Sequence, residues 1–217
     1  MKRILMLCEG QTEETFVQRI LAPHLHQFDK HPIPTVLVTK KVQSGQGFWG
    51  GVTSYERIRR DVRNLLKDSN AVCVTTMLDY YGLPGDFPGK STLSGATPYQ
   101  RVSHLEDAFA RDIGDSRFLP YLMLHEFEAL LFVDVSAVAQ VMDRPAPPQS
   151  FGDLSRFSAP EEINDGRDTH PSVRLQQGLP GYSKALHGPL AVERIGLASI
   201  RARCPHFNNW LENLEMR

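Results

Sequence analysis

The sequence has little of three things that would narrow its class at once: cysteine, net charge and long apolar runs. Three cysteines stand far apart among 217 residues and form no CxxC pair, which argues against a disulfide framework. Lys plus Arg total 24 and Asp plus Glu total 25, so the net charge neither indicates nor excludes a nucleic-acid partner. No apolar run is long enough to span a membrane or to form a signal-peptide core. We therefore expect a cytoplasmic protein with reduced thiols.

The apolar residues that are present follow an alternating pattern of strands and helices. The pattern predicts strands over residues 4–8, 35–39, 71–78 and 118–124, with helices between them. Strands that alternate with helices imply a parallel sheet with helices on both faces. Residues 135–217 carry short helical patterns and no strand pattern. We therefore predict an α/β domain over residues 1–134, with a mainly parallel sheet of about four strands, and a helical C-terminal portion over residues 135–217 packed on it.

Three of the predicted strands end in acidic residues. Glu9 follows the first strand, Asp79 the third, and Glu126 and Glu128 the fourth. Because the ends of parallel strands lie at one edge of a sheet, these carboxylates should converge, and their repulsion calls for a cation. Carboxylate oxygens suit Mg²⁺ or Mn²⁺, which activate water and neutralise phosphate charge. For one acid alone, a solvated strand end or a helix cap is the better interpretation; three strand ends together favour a site.

The segments around these acids resemble the TOPRIM domain of topoisomerases, primases and some nucleases. More narrowly, the whole chain is similar to a TOPRIM-like family, domain-of-unknown-function family 4276, which is often encoded beside an ABC-type ATPase. The matching segments are Cys8-Glu9-Gly10-Gln11-Thr12-Glu13, Ser54-Tyr55-Glu56-Arg57-Ile58, Asp79-Tyr80-Tyr81-Gly82-Leu83-Pro84 and His125-Glu126-Phe127-Glu128-Ala129-Leu130-Leu131-Phe132.

The resemblance implies roles for individual residues. Glu9 matches the glutamate that TOPRIM enzymes use as a general base or acid, or as a metal ligand in the nucleases. Asp79 matches the first aspartate of the Asp-x-Asp motif, but the second falls at Tyr81, which removes one expected ligand. Glu126 and Glu128 are the candidates to replace it. Asp86, in the following loop, is a weaker candidate.

Residues outside the acidic motifs carry further expectations. Lys184 could stabilise charge on a transferring phosphate, as the family resemblance implies, although a surface lysine is the plainer interpretation. His125 begins no zincin motif, because the second histidine is missing, so we expect a packed histidine and no catalytic zinc. The basic helix with Arg59 and Arg60, together with Lys40 and Trp49, could hold nucleic acid, or the helix could be a solvated face paired with acids.

The sequence therefore favours one function and leaves two alternatives open. The leading expectation is a Mg²⁺- or Mn²⁺-dependent nuclease, an effector of phage defence, acting on DNA or RNA. Its site would comprise Glu9, Asp79, Glu126 and Glu128 as metal ligands and catalytic groups, with Lys184 at the scissile phosphate. The first alternative is a non-catalytic module that docks an ABC-type ATPase or nucleic acid, as Tyr81 suggests. The second is another phosphoryl-transfer enzyme that acts on a small substrate.

Overall fold

The computed structural model describes residues 1–37, 54–93, 97–145 and 151–217, apart from positions 152, 153, 155, 164, 165 and 167. Within these ranges one sheet holds five strands in the order β2-β1-β3-β4, and β5 also pairs with β3. All the pairings are parallel, which confirms the predicted α/β class. The strands are β1 (Lys2–Cys8), β2 (Lys30–Val36), β3 (Ala71–Asp79), β4 (Phe118–Leu119) and β5 (Leu122–Met123).

Helices connect the strands and make up the C-terminal part. They are α1 (Gln11–Phe16), α2 (Ala22–His26), α3 (Tyr55–Leu66), α4 (Pro98–Ile113), α5 (Val135–Val141), α6 (Pro171–Gly178), α7 (Lys184–Ile195), α8 (Leu197–Arg203) and α9 (Pro205–Met216). A π-helical segment, Val17–Leu21, joins α1 to α2, and a 3₁₀ helix, Phe127–Val133, precedes α5. The described part of the chain after residue 134 contains helices and turns and no strand, which confirms the helical C-terminal portion. No helix in the described ranges has the length and apolar character that a membrane crossing requires.

The two faces of the sheet bury different helices. Along β1, Ile4 and Met6 belong to the cluster formed with α1, α2 and the C-terminal helices, whereas Leu5 and Leu7 pack with α3 and α4. This alternation follows from the two-residue period of a strand and explains why the strand sequence is apolar throughout. The helices therefore cover both faces, as predicted.

The second strand lies earlier in the chain than the sequence pattern indicated. We predicted residues 35–39, but β2 spans Lys30–Val36, and residues 38 and 39 lie outside the described ranges. Strand propensity does not predict a strand here, because Pro32 and Pro34 have no N–H to donate to a neighbouring strand. The position of β2 at the edge of the described sheet resolves the conflict, since among the described strands it pairs with β1 alone.

The prediction of a single strand over residues 118–124 was wrong, because the segment forms the short strands β4 and β5. Pro120 and Tyr121 lie between them. Thr76 of β3 replaces the missing backbone pairing: its hydroxyl donates to the Tyr121 carbonyl at 2.8 Å and accepts from the Tyr121 N–H at 3.0 Å. One threonine side chain thus keeps both halves of the interrupted strand on β3.

The strand order reverses between the carboxyl ends of β1 and β3, the position of the ligand-binding crevice in open α/β sheets. The chain leaves β1 through α1 and α2 to reach β2 on one side, and returns through α3 to β3 on the other side. In open α/β sheets, ligands bind where the strand order reverses in this way. Glu9 follows β1 and Asp79 ends β3, so both acids lie at this position.

Candidate functional site

The side chain of Lys184 lies among the acids at this edge. Its ammonium nitrogen is 3.2 Å from Asp79 Oδ2 and 3.1 Å from Glu128 Oε2. Asp79 and Glu128 are buried, whereas the Lys184 side chain is 38% exposed. Lys184 is the first residue of α7, so a C-terminal helix supplies the cation for carboxylates from the sheet. These residues form what we call the acidic cluster, whose members are Glu9, Glu13, Asp79, Glu126, Glu128 and Lys184.

Hydrogen bonds connect the acids that end β1 and β3. The backbone N–H of Asp79 donates to Glu9 Oε2 at 2.9 Å, and Asp79 Oδ1 accepts from the backbone N–H of Phe127 at 3.1 Å. A Cβ atom at Gly82 would come within 3.3 Å of Glu9 Oε1. A larger residue at position 82 would therefore press on Glu9, which gives this glycine a role in positioning the carboxylate.

Glu126 and Glu128 are held by two different C-terminal segments. The backbone N–H of Ser172 donates to Glu126 Oε1, and the Ser172 hydroxyl donates to Oε2 at 3.1 Å. Glu128 is fully buried, and the Tyr182 hydroxyl donates to its Oε1 at 3.4 Å. Glu126 has an extended backbone and Glu128 lies in the first turn of the 3₁₀ helix, so the two carboxylates turn to separate partners.

Glu13 belongs to the acidic cluster, although the sequence analysis did not select it. It is 2% exposed, its Oε2 accepts from the backbone N–H of Gly10 at 2.9 Å, and its Oε1 is 3.9 Å from Lys184 Nζ. An acid at the third helical position that reaches back to the cap is half of a capping box. The signal was therefore present in the sequence: a capping glutamate directly after a site-bearing strand points over the end of that strand.

Other candidate residues have different environments. Asp86 accepts a hydrogen bond from the backbone N–H of Tyr55 at 3.0 Å and so caps α3. His125 is buried and meets the ring of Tyr80 edge-on, with 5.9 Å between ring centroids. Tyr81 is 45% exposed and stacks on His170. Asp86 therefore caps a helix, His125 is packed in the interior, and Tyr81 lies at the surface.

Two arginines of the basic face of α3 are paired with acids. Arg59 Nε donates to Asp112 Oδ2 at 2.8 Å, and Arg60 Nε lies 3.5 Å from Asp61 Oδ1. These contacts favour the solvated, ion-paired face over a nucleic-acid surface on this helix. Lys40 and Trp49, the other candidates for such a surface, lie outside the described residues.

Burial and mutual repulsion make the carboxylates of the acidic cluster hard to ionise. Burial, with the neighbouring charge of Asp79, raises the pKa of Glu9 to about 8 and the pKa values of Glu13 and Glu126 to about 7. Burial also raises the pKa of Glu128 to about 7, although Lys184 opposes the rise.

The same charges act on Lys184 in the opposite direction. Burial alone would lower the pKa of Lys184, but the carboxylates of Asp79 and Glu128 outweigh it and raise this pKa well above its ordinary value. Lys184 is therefore a permanent cation beside glutamates whose pKa values are raised to about 7.

The donor atoms of the acidic cluster suit a hard divalent cation, because all of them are carboxylate oxygens. Their present arrangement is different: within the described ranges, no three His, Cys, Asp or Glu residues are grouped as ligands of one metal ion. The Lys184 ammonium instead lies between Asp79 and Glu128, where it supplies one positive charge. The residue types fit Mg²⁺ or Mn²⁺, and the chain itself shows that a cation is held among them.

Comparison with known proteins identifies one family. The family described as Domain of unknown function (DUF4276) matches residues 8–215, a range that includes every member of the acidic cluster. No curated protein and no solved structure matches the chain.

Proposed function

Because the chain belongs to the family described as Domain of unknown function (DUF4276), which implies no reaction, we propose a function from the site itself. The proposed activity is hydrolysis of phosphodiester bonds in nucleic acid with Mg²⁺ or Mn²⁺, as in TOPRIM-type nucleases. The observation that supports it is the convergence of buried carboxylates from α1, β3 and the 3₁₀ segment, those of Glu13, Asp79 and Glu128, on the ammonium of Lys184. Buried charges of one sign are unfavourable for folding, so their presence at a strand-order reversal favours a functional role.

Each residue has a definite task in this proposal. Glu9, Asp79, Glu126 and Glu128 would hold the metal, which when bound activates water and neutralises phosphate charge. Without metal, the pKa of Glu9 is about 8, so Glu9 would serve as a general acid or base only where it does not itself hold the metal. Lys184 is cationic throughout this range and 38% exposed, so its ammonium can contact a phosphate oxygen that enters the crevice. Tyr182 and Ser172 orient the carboxylates and need not touch substrate.

The test is metal-dependent cleavage of labelled single-stranded DNA, duplex DNA and tRNA by the purified protein. Glu9→Gln and Asp79→Asn should each reduce the cleavage rate at least a hundredfold, because they remove charge with little change of shape. Glu193→Gln is the matched control, since Glu193 is an exposed acid on the helix that carries Lys184. Cleavage by the double variant at the rate of the unmodified protein would refute the proposal.

A non-catalytic binding module is the second candidate. Two observations favour it: Tyr81 stands where the resemblance requires a second aspartate, and Lys184 already neutralises part of the acidic cluster. Isothermal titration calorimetry with Mg²⁺ and Mn²⁺ separates the candidates. Absence of binding at millimolar metal would favour the binding module, whereas binding that Asp79→Asn abolishes would favour the nuclease.

Three further aspects of the function remain predictions. They are an ABC-type ATPase partner, a role in phage defence and a cytoplasmic location. An ATPase gene beside this gene, and co-purification of its product with this chain, would support the first two. The remaining alternative, phosphoryl transfer to a small substrate, would be favoured if the protein hydrolysed nucleotides and left polynucleotides intact.

A further inference from the structure

Tyr81, which is exposed, and His170, which is buried, form a pair of stacked rings near the acidic cluster in the chain. Their ring centroids are 5.0 Å apart with an angle of 20° between the planes. His170 is buried, and its Nδ1 lies 3.2 Å from the Gly166 carbonyl oxygen. Tyr81 remains 45% exposed. One face of the tyrosine ring thus rests on a fixed histidine, and part of the ring is open to solvent.

The chain ties both rings to the acidic cluster. Tyr81 is two residues after Asp79, and its backbone N–H donates to the carbonyl of His125, the residue before Glu126, at 3.0 Å. His170 is two residues before Ser172, which holds Glu126. Two residues of extended chain span about 7 Å at most, so the backbone of Tyr81 lies within that distance of Asp79, and the backbone of His170 within that distance of Ser172, beside the site.

We propose that Tyr81, supported by His170, is a stacking surface for an unpaired nucleobase of the nucleic acid that enters the acidic cluster. A flat aromatic ring with one covered face binds other flat rings without requiring a particular base. Bases inside a duplex are already stacked on their neighbours, so the surface selects single-stranded or unpaired segments. This inference rests on the proposed nucleic-acid function and adds a substrate class to it. The inference also assigns a binding role to Tyr81, at the position where a metal-binding aspartate was expected.

Binding without metal tests this directly. The probes are a fluorescein-labelled oligothymidylate, an abasic strand of equal length and a duplex, each measured by fluorescence anisotropy in EDTA. The unmodified protein should bind oligothymidylate about tenfold more tightly than the abasic strand or the duplex, since stacking of one base on an aromatic ring gives roughly this gain. Tyr81→Phe should keep the difference and Tyr81→Ala should remove it. An RNA strand of matched length shows whether the sugar matters.

A matched control and a spectroscopic readout complete the experiment. Phe28→Ala removes another exposed ring that contacts a histidine, His24. Phe28 lies just before the amino end of β2, whereas the acidic cluster lies at the carboxyl ends of the strands. Phe28→Ala should bind every probe with the same affinity as the unmodified protein. The fluorescence of 2-aminopurine in the strand should be quenched on binding, and Tyr81→Ala should lose the quenching.

The outcomes separate this inference from the proposed function. Equal affinity of the unmodified protein for the abasic strand and oligothymidylate, or no binding of either, overturns the inference. So does Tyr81→Ala with an intact preference for oligothymidylate. Cleavage without a base preference leaves the proposed hydrolysis standing and removes the stacking surface. Base-dependent binding without cleavage supports the stacking surface and refutes the hydrolysis.

Discussion

Replacement of Glu128 by glutamine should stabilise the protein at high pH and have little effect at low pH. Glu128 is fully buried, and burial raises its pKa from the usual 4.5 to about 7. Between these values the folded chain keeps a proton that the unfolded chain has lost, so the free energy of unfolding falls as the pH rises. Above pH 7 Glu128 is ionised in both the folded and the unfolded chain, and the full free-energy cost of burying its charge is present. Glutamine has a similar shape and carries no charge, so it avoids the penalty.

The expected magnitude follows from the pKa rise. A pKa difference of one between the folded and unfolded states corresponds to about 1.4 kcal/mol. The pKa of Glu128 rises by about 2.5, so Glu128→Gln should stabilise the fold by on the order of 3 kcal/mol at pH 9. The opposing attraction of Lys184 is already contained in this pKa, and the glutamine oxygen can still accept from Tyr182. For a chain of this length the gain corresponds to a rise in Tm of roughly 6–12 °C.

Thermal and urea unfolding of Glu128→Gln and the unmodified protein, in EDTA from pH 4.5 to pH 9, measures the effect. The two stability curves should meet near pH 4.5 and separate as the pH rises through 7. Glu193→Gln, at an exposed acid, should follow the unmodified protein at every pH. A Glu128→Gln curve that runs parallel to that of the unmodified protein, or below it at pH 9, would refute the argument that the ionised carboxylate destabilises the fold.

Three further substitutions test the packing and charge of the structure. Lys184→Met removes the cation beside Asp79 and Glu128 and should destabilise the fold by about 2–4 kcal/mol at pH 9 but less at pH 5.5, where Glu13 and Glu128, whose pKa values are raised, take up protons; equal losses in melts at both pH values would contradict this. Ser172→Ala removes the hydroxyl bond to Glu126 and should cost about 1 kcal/mol in urea unfolding, and no loss would show that the backbone N–H suffices. Phe109→Ala should cost about 3–5 kcal/mol, because this fully buried ring packs between the sheet and α3; a loss below 1 kcal/mol by the same method would contradict that packing.

The predicted parts of the fold were those with a strong local pattern. The apolar run before Glu9 and the one before Asp79 are strands, and the amphipathic segments that became α3 and α4 are helices. In each of these segments the local periodicity matches the tertiary environment. The strand at Lys30–Val36 broke the local rules with two prolines and was misplaced, because only its edge position makes prolines acceptable.

The same contrast holds for the candidate site. The sequence selected Glu9, Asp79, Glu126 and Glu128 because each follows a strand pattern, and Lys184 through the family resemblance. It did not select Glu13, and it left Lys184 as a surface residue in its plainer interpretation. Only the packing of α1 and α7 over the strand ends reveals that both side chains face the same carboxylates.

The sequence by itself determined the parallel α/β class, the helical C-terminal part and the family, because periodicity and short motifs are local properties of the chain. The tertiary structure alone decided which groups meet. Lys184 lies 105 positions from Asp79 in the chain and 3.2 Å from it in space. The raised pKa values of the four glutamates depend on burial and on charges brought together from distant segments, and no local pattern contains that information.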